Sequence, residues 1–533
     1  MFLLKTNSRQ KSIFLFISIV SLIFLSVQLV RYEYDSFSIR DIFSWSQDER
    51  SSSSPPSFDK PAAAKHEPTP QEKYLTYLPY SRFSNQRSTL LNAALLAKYL
   101  NRTLIVPPMF LGNANGWSPA PGLYKVLANM TDSKFQEKCF DDEDNEIVEV
   151  PVLQEGQTEV PFGCYNFTSY VMLPWSWATD LNKLTFDEEQ GGLGLKIIER
   201  SDMSLLALQK QLNINDDEMF LMQDTTRYQW HIYDSDNESP NLRYQFEISL
   251  NELKDIRERL LHFYGIFGYD RLMLNSPESE EYRLRIEQAL IFRHPAISEA
   301  SAIILEQLLD GVQKEESELV PLDPIQAKEA ERRELPRFVA AHIRAGDGVF
   351  LRNLKDRIPE FVQQIWDIMT GNEKTVDDLV GKSNKIGAQD SAPKRKKGPL
   401  PKASKELRDA LKKLDIHERL KECARRKEMV LYVATDAASP RTSADFKPVL
   451  DAFPCTFFMS DFDTTWREPL EKVRSPLDQH KDLTEHLIMF VDATVCSWAE
   501  RFVGTRTSTF SNYIKQYRHA IVDDLIDRKA IDS

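Results

Sequence analysis

Residues Phe338 to Ile343 form an apolar run interrupted only by His342 and bounded by Pro336 and Gly346. A run of this length without polar alternation has no water-facing side, and reads as a strand buried in a parallel sheet. Parallel strands need helical crossovers, so this one segment already directs the chain toward the α/β class. In open α/β sheets ligands gather beyond the carboxyl ends of the strands, which is where Arg344, Gly346 and Asp347 follow. A guanidinium is always charged and its planar fork matches phosphate oxygens, so Arg344 is a candidate for neutralising a phosphate leaving group. An arginine simply paired with a nearby acid at a strand end is the plainer alternative, and this run alone does not choose between them.

Two further segments bear on the choice. Asp492 to Gly504 reads as a helix running into a short strand, and Thr505-Arg506-Thr507-Ser508-Thr509-Phe510 precedes a C-terminal helix. Ser508 and Thr509 are capping types, and the free N–H groups of a first helical turn form an anion cradle as readily as they take an ordinary cap. Near the other end, Tyr77 to Arg87 reads as a strand turning into a loop. Ser88 to Leu100 has helical spacing, Asn101-Arg102 closes it, and Thr103 to Val106 is a strand before Pro107-Pro108. Strand, loop, helix and strand make one βαβ unit.

Together these segments resemble the GDP-fucose protein O-fucosyltransferase family. The motif Gly-Arg-Phe-Gly-Asn-Gln followed by Asn-Arg-Thr-Leu-x-x-Pro-Pro corresponds to Ser81-Arg82-Phe83-Ser84-Asn85-Gln86 and Asn101 to Pro108; His-Leu-Arg corresponds to His342-Ile343-Arg344; the last motif corresponds to Asp492, Ala499, Phe502-Val503-Gly504, Ser508, Thr509 and Phe510. The resemblance runs from about Tyr74 to Ile521. It implies a GT-B-like α/β fold of two Rossmann-like domains facing across a cleft, and inverting transfer of fucose from GDP-fucose without a metal or other cofactor. By position, Arg344 would hold the β-phosphate and His342 would help place the nucleotide. Asp492 would accept hydrogen bonds from guanine or ribose, and Ser508 and Thr509 would bind phosphate oxygens. Phe510 with Phe83 would line the nucleotide pocket, and Arg82 and Asn85 would lie near the phosphates and sugar. Both glycines of the first motif are serines here, Ser81 and Ser84, which restricts positive φ. The family's Asn after Phe-Ile-Gly is Thr505. No carboxylate lies between Ser81 and Arg87, so no general base is assigned; Arg344 and Asn85 are the catalytic candidates.

The rest of the chain supplies the frame. Ser12 to Val30 is long and apolar enough to span a bilayer, with Lys5, Arg9 and Lys11 before it. This gives a cytoplasmic tail (1–11), a type II anchor (12–30), a disordered Ser/Pro-rich stem (31–72), an acceptor-side domain (73–335) and a nucleotide-sugar domain (336–533). The last carries a basic, disordered insertion at about 371–406. A cleaved signal peptide is disfavoured by the length of the run and the lack of a small-x-small site. The expected location is the Golgi or endoplasmic reticulum membrane, with the catalytic part lumenal. Sequons at Asn101, Asn129, Asn166 and Asn237 fit that course. Among five cysteines, Cys139 with Cys164 is the preferred pair, leaving Cys423, Cys455 and Cys496 open. The triplets Asp234-Ser235-Asp236 and Asp461-Phe462-Asp463 could hold a divalent cation but read as incidental in so acidic a chain. A net charge of −13 argues against nucleic acid as a partner. Tyr244 to Tyr264 and Tyr282 to Leu309 read as helices, the latter with Phe292, Ile297, Ala300 and Ile304 as core. Strand Glu428 to Thr435 would put Asp436 at the cleft edge. The expected partners are GDP-fucose, a protein or glycan hydroxyl acceptor and the membrane. A membrane-tethered, inactive nucleotide-sugar or glycan-binding protein is the alternative.

Overall fold

A computed structural model describes residues 72–531 except 113–115, 134–139, 142–145, 148–168, 235–242, 269–270, 318–337, 347 and 371–399. Lys60–Ser533 form one compact unit. The anchor, the tail, most of the stem and the Cys139–Cys164 pair fall outside the described residues. Among the described residues no helix is long and apolar enough to cross a membrane.

The first of the two larger parallel sheets has five strands: β1 (Tyr74–Tyr77), β2 (Thr103–Val106), β3 (Ile197–Glu199), β4 (Met219–Met222) and β5 (Leu260–Phe263), in the order β3-β2-β1-β5-β4. All four residues of β1 are buried, as a central strand covered on both faces requires. Helix α1 (Phe83–Leu100) crosses from β1 to β2. Its Leu- and Ala-rich body favours helix, and Asn101 ends it in the left-handed region at φ 49°.

The second sheet has four strands: β6 (Val339–Ile343), β7 (Leu431–Thr435), β8 (Thr456–Phe457) and β9 (Arg501–Gly504), in the order β8-β7-β6-β9. Side-chain alternation along β6 divides its burial between two cores. Val339, Ala341 and Ile343 pack with Ile358, Phe361, Val362 and Ile365 of helix α4 (Leu354–Met369). Phe338 and Ala340 turn to the other side, where the core includes Phe490 and Val491 of helix α5 (Thr484–Ser497). Each large apolar side chain buried this way contributes roughly 1.5–3 kcal/mol.

The C-terminal helix α6 (Thr509–Ile531) joins the helices of the two sheets. Arg87 of α1 donates to the carbonyls of Leu290 (2.8 Å) and Glu287 (2.6 Å), bonds Gln516 of α6, and lies 5.2 Å from the Tyr513 ring centroid. Tyr513 in turn accepts the Phe292 N–H at 3.1 Å. A second join is made by the buried pair Lys481–Asp478 (3.0 Å). Lys481 donates to Tyr170 O at 3.0 Å, and Asp478 accepts from Met172 N at 3.3 Å.

Several sequence expectations are corrected. The Tyr244–Tyr264 segment is a strand (Phe246–Ser249), a five-residue helix (Leu250–Lys254) and β5, because Leu-Leu-His-Phe is needed between β1 and β4. The expected helix over Tyr282–Leu309 is two, α2 (Pro277–Ala289) and α3 (Pro295–Ser317), divided before Pro295, whose ring cannot donate to a continuing helix. Its core stripe stands, since Phe292, Ile297, Ala300 and Ile304 are all buried. The first motif is helical from Phe83 onward, not loop. The basic insertion lies outside the described residues through 399. Its expected end at 406 is too late, since Ser404 already caps helix Lys405–Lys412. Cys423 and Cys455 form a disulfide, and Cys496 is a buried free thiol.

Candidate functional site

In the order β8-β7-β6-β9 the chain direction of assembly reverses between β6 and β9, the switch point at which open α/β sheets leave a crevice. Arg344 is the first residue beyond β6, and Thr505 the first beyond β9. The Thr505 hydroxyl accepts the Arg344 N–H at 2.9 Å and donates to the His342 carbonyl at 2.8 Å, while the Thr505 N–H bonds the same carbonyl at 3.0 Å. One threonine thereby locks both strand tips, using its donor and an acceptor site together.

The Arg344 side chain is held on two sides. Its guanidinium carbon lies 5.1 Å from the Phe350 ring centroid, and its Nε is 4.0 Å from Asp436 Oδ2. Asp436, just past β7, accepts through Oδ1 from the N–H groups of Ala345 (2.6 Å) and Gly346 (2.8 Å). A Cβ on Gly346 would stand 2.7 Å from Asp436 Oδ2, so only glycine lets the carboxylate come this close. An internal carboxylate fills the backbone cradle beside Arg344, and orients the guanidinium that it faces.

His342 is buried on β6, with Nδ1 2.6 Å from Ser511 Oγ and its ring 5.3 Å from Phe510. Burial pushes its pKa down to about 4, against the pull of Asp436 and with the help of Arg344, so the imidazole is neutral at pH 7. Ser508 accepts the Ser511 N–H at 3.3 Å and is itself buried, so its hydroxyl serves as the cap of α6. Thr509 opens the helix half-buried, and Phe510 packs inward. Asp492, on α5, accepts from the Tyr432 hydroxyl at 2.5 Å; burial raises its pKa to about 7 despite that bond.

The first motif is built around a left-handed serine. Ser81 has φ 68°, its hydroxyl accepts from Asn85 Nδ2 at 2.7 Å, and its carbonyl accepts from Gln86 Nε2 at 2.8 Å. Ser81 thus adopts the conformation its replacement of glycine was expected to hinder, at a cost of about 1–2 kcal/mol offset by these bonds. Arg82 is exposed at the start of α1. Phe83 presents almost no surface, at 1% exposure, and its ring sits 4.7 Å from Phe490 and 5.1 Å from Tyr513. It joins the two halves where a pocket-lining role was expected. From Tyr513 ring contacts continue to Phe510 (5.6 Å) and then His342, so the three motifs form one connected cluster.

Near the carboxyl end of the first sheet one charged pair is buried. Arg271 donates to Asp224 Oδ2 at 2.6 Å and to Arg227 O at 3.2 Å, with Asp224 and Arg271 1% and 2% exposed. Burial raises Asp224 to about 6 even against Arg271. Neither residue was singled out from sequence, and nor was Thr505 as a lock, since each depends on a partner far along the chain. Of the acidic triplets, Asp461 is held by Arg441, Asp463 caps the turn at Thr465, and Asp234 accepts from Asn275 N. Among the described residues no group of three or more His, Cys, Asp or Glu is placed to hold a metal.

A parallel sheet with an arginine clamped at its switch point makes this an α/β protein with a fixed positive charge where such sheets bind their ligands. Residues 196–521 match the GDP-fucose protein O-fucosyltransferase family, more than half of the chain, and the chain belongs to that family. The first motif lies outside the matched residues. A 57-residue stretch is 46% identical to O-fucosyltransferase 30 of Arabidopsis thaliana, covering 11% of this chain and 11% of that protein's length. Two crystal structures of POFUT1, one with GDP and one with GDP-fucose, align at 11% and 12% identity over 85% and 86% of this chain and 96% of theirs, each with a TM-score of 0.33.

Proposed function

We propose that this chain is a GT-B-like glycosyltransferase that moves fucose from GDP-fucose to a hydroxyl acceptor, a Ser/Thr of a lumenal protein or a glycan, with inversion and without a metal. The observation that carries the reading is Arg344 at the β6–β9 switch point, locked by Thr505 and faced by Asp436, in a chain of this family. As the bond from fucose C1 to the β-phosphate oxygen breaks, negative charge grows on the phosphate. Arg344 and the N–H groups at the start of α6 are fixed in advance to receive it. The acceptor oxygen then bonds C1 from the opposite face and its proton passes to phosphate or water. His342 serves as a neutral placing group, and Asp492 as the acceptor for guanine or ribose. Arg82 and Asn85 serve on the sugar side. The apolar Ser12–Val30 run, read as an anchor, supports a place at the Golgi or endoplasmic reticulum membrane.

One observation favours the inactive binding protein: the Asn85 amide is already engaged by Ser81 Oγ. Thermal shift of the soluble part with GDP, UDP and CMP, followed by sugar release from GDP-fucose, separates the readings. Stabilisation by GDP alone with sugar release supports transfer; GDP binding without release supports the tether; indifference to all three nucleotides overturns both donor assignments.

A further inference from the structure

Phe350 carries two guanidinium groups. Arg344 from the tip of β6 and Arg357 from the first turns of α4 each place their guanidinium carbon 5.1 Å from its ring centroid, so the two cations lie no further apart than about 10 Å. Arg357 donates through Nη2 to the carbonyl of Arg506 at 3.3 Å, in the turn that leads into α6. Its Nη1 is shielded from solvent and has no hydrogen-bond partner among the described residues. A shielded guanidinium N–H without an acceptor is costly, and an ion that the site is built to receive is a standing explanation for one. Two arginines on one aromatic ring also repel each other, and the ring and Asp436, which faces Arg344, offset part of that repulsion.

Resting on the reading of Arg344 as the donor-phosphate ligand, we propose that Arg357 is a second guanidinium ligand of the donor's diphosphate, paired with Arg344 across Phe350. Arg344 takes the terminal phosphate at the switch point, and Arg357 meets the same phosphate from the α4 side. Its bond to the Arg506 carbonyl ties it to the start of α6, where the helix N–H groups face the same charge. The ligand class is a nucleoside diphosphate, and a monophosphate lacks the phosphate that the pair receives.

Isothermal titration with GDP and GMP tests this in wild type, Arg357→Gln and Arg344→Ala. Wild type is expected to prefer GDP, and Arg357→Gln to lose roughly 10- to 100-fold in GDP affinity, the range of a charge-assisted hydrogen bond, with GMP affinity nearly unchanged. An Arg357→Gln protein that melts earlier but keeps the wild-type GDP-to-GMP ratio shows a purely structural arginine and overturns the proposal. Should Arg357→Gln not fold, Arg357→Lys decides. A lysine keeps the charge but cannot stack on Phe350 and bond Arg506 at once, so the ratio falls at least about three-fold, and an unchanged ratio overturns the proposal. Wild type without any preference for GDP would instead sink the donor reading on which this rests.

Discussion

At the end of the first sheet Arg271 is enclosed with Asp224, each nearly without exposure, while at the end of the second Arg344 keeps 17% of its side chain open and rests against Phe350 and Asp436. Both are arginines near the ends of parallel strands with a carboxylate nearby, although Arg271 precedes the short strand Leu272–Met273 and it is its partner Asp224 that lies past β4. The first pair is enclosed: its bond is short, Arg271 spends a further N–H on the Arg227 carbonyl, and its buried Nε has no hydrogen-bond partner among the described residues. The second is loose, 4.0 Å from Nε to oxygen, because Asp436 Oδ1 is committed to two backbone N–H groups. Loss of either partner of a closed ion pair leaves a buried charge uncompensated, whereas a guanidinium that is partly exposed and rests on an aromatic face can be reached by a ligand from solvent.

Breaking the closed pair should have the largest effect. Asp224→Ala leaves Arg271 buried and uncompensated, and should cost about 3–5 kcal/mol in urea unfolding, whereas replacing both residues by apolar ones of similar volume should cost much less. Arg344→Ala inverts the pattern: GDP-fucose turnover should fall about 10²-fold or more while unfolding free energy stays within about 1 kcal/mol of wild type. A large stability loss there would erase the contrast between the two sheet ends. Gly346→Ala forces a Cβ against Asp436 and should cost about 1–3 kcal/mol, with sugar release reduced alongside because the guanidinium loses its guide.

Asp492 provides a pH test. Its folded pKa of about 7 exceeds its unfolded value, so the folded state holds a proton that the unfolded state has released between about pH 4 and 7. The stability from this group is complete below the unfolded pKa and is lost as pH rises through 7. Melting temperatures from pH 4.5 to 7.5 should show this slope, and Asp492→Asn should flatten it; an unchanged slope would place the carboxyl in a wetter setting. The smallest effect is expected at Ser81→Gly, where relief of the left-handed backbone, about 1–2 kcal/mol, is offset by loss of the Asn85 bond, leaving a net change within about 1 kcal/mol.

How much of this was legible in the chain differs between particular residues. The apolar run before Arg344 announced a buried parallel strand, and β6 is one, flanked on both sides. The Ser508 cap and the helix after it were legible for the same reason, since capping and periodicity are local. Tyr244 to Tyr264 misled because two four-residue strands and a five-residue helix in succession mimic helical spacing over a long window. Phe83 reads as part of a loop motif, but only its neighbours Phe490 and Tyr513, some 400 residues away, reveal it as core.

What the amino-acid order determined by itself was the class of fold, the family and the position of Arg344 at a strand tip. Those follow from backbone geometry and side-chain patterning over a few residues. What only the tertiary structure decided was which charges are closed and which remain open: Arg271 sealed on Asp224, Asp436 filling the cradle beside Arg344, Thr505 locking two strands and Arg357 meeting Arg344 across one ring. The physical reason is that the strength and availability of a charge depend on burial and on partners brought from distant segments, and no local pattern encodes either.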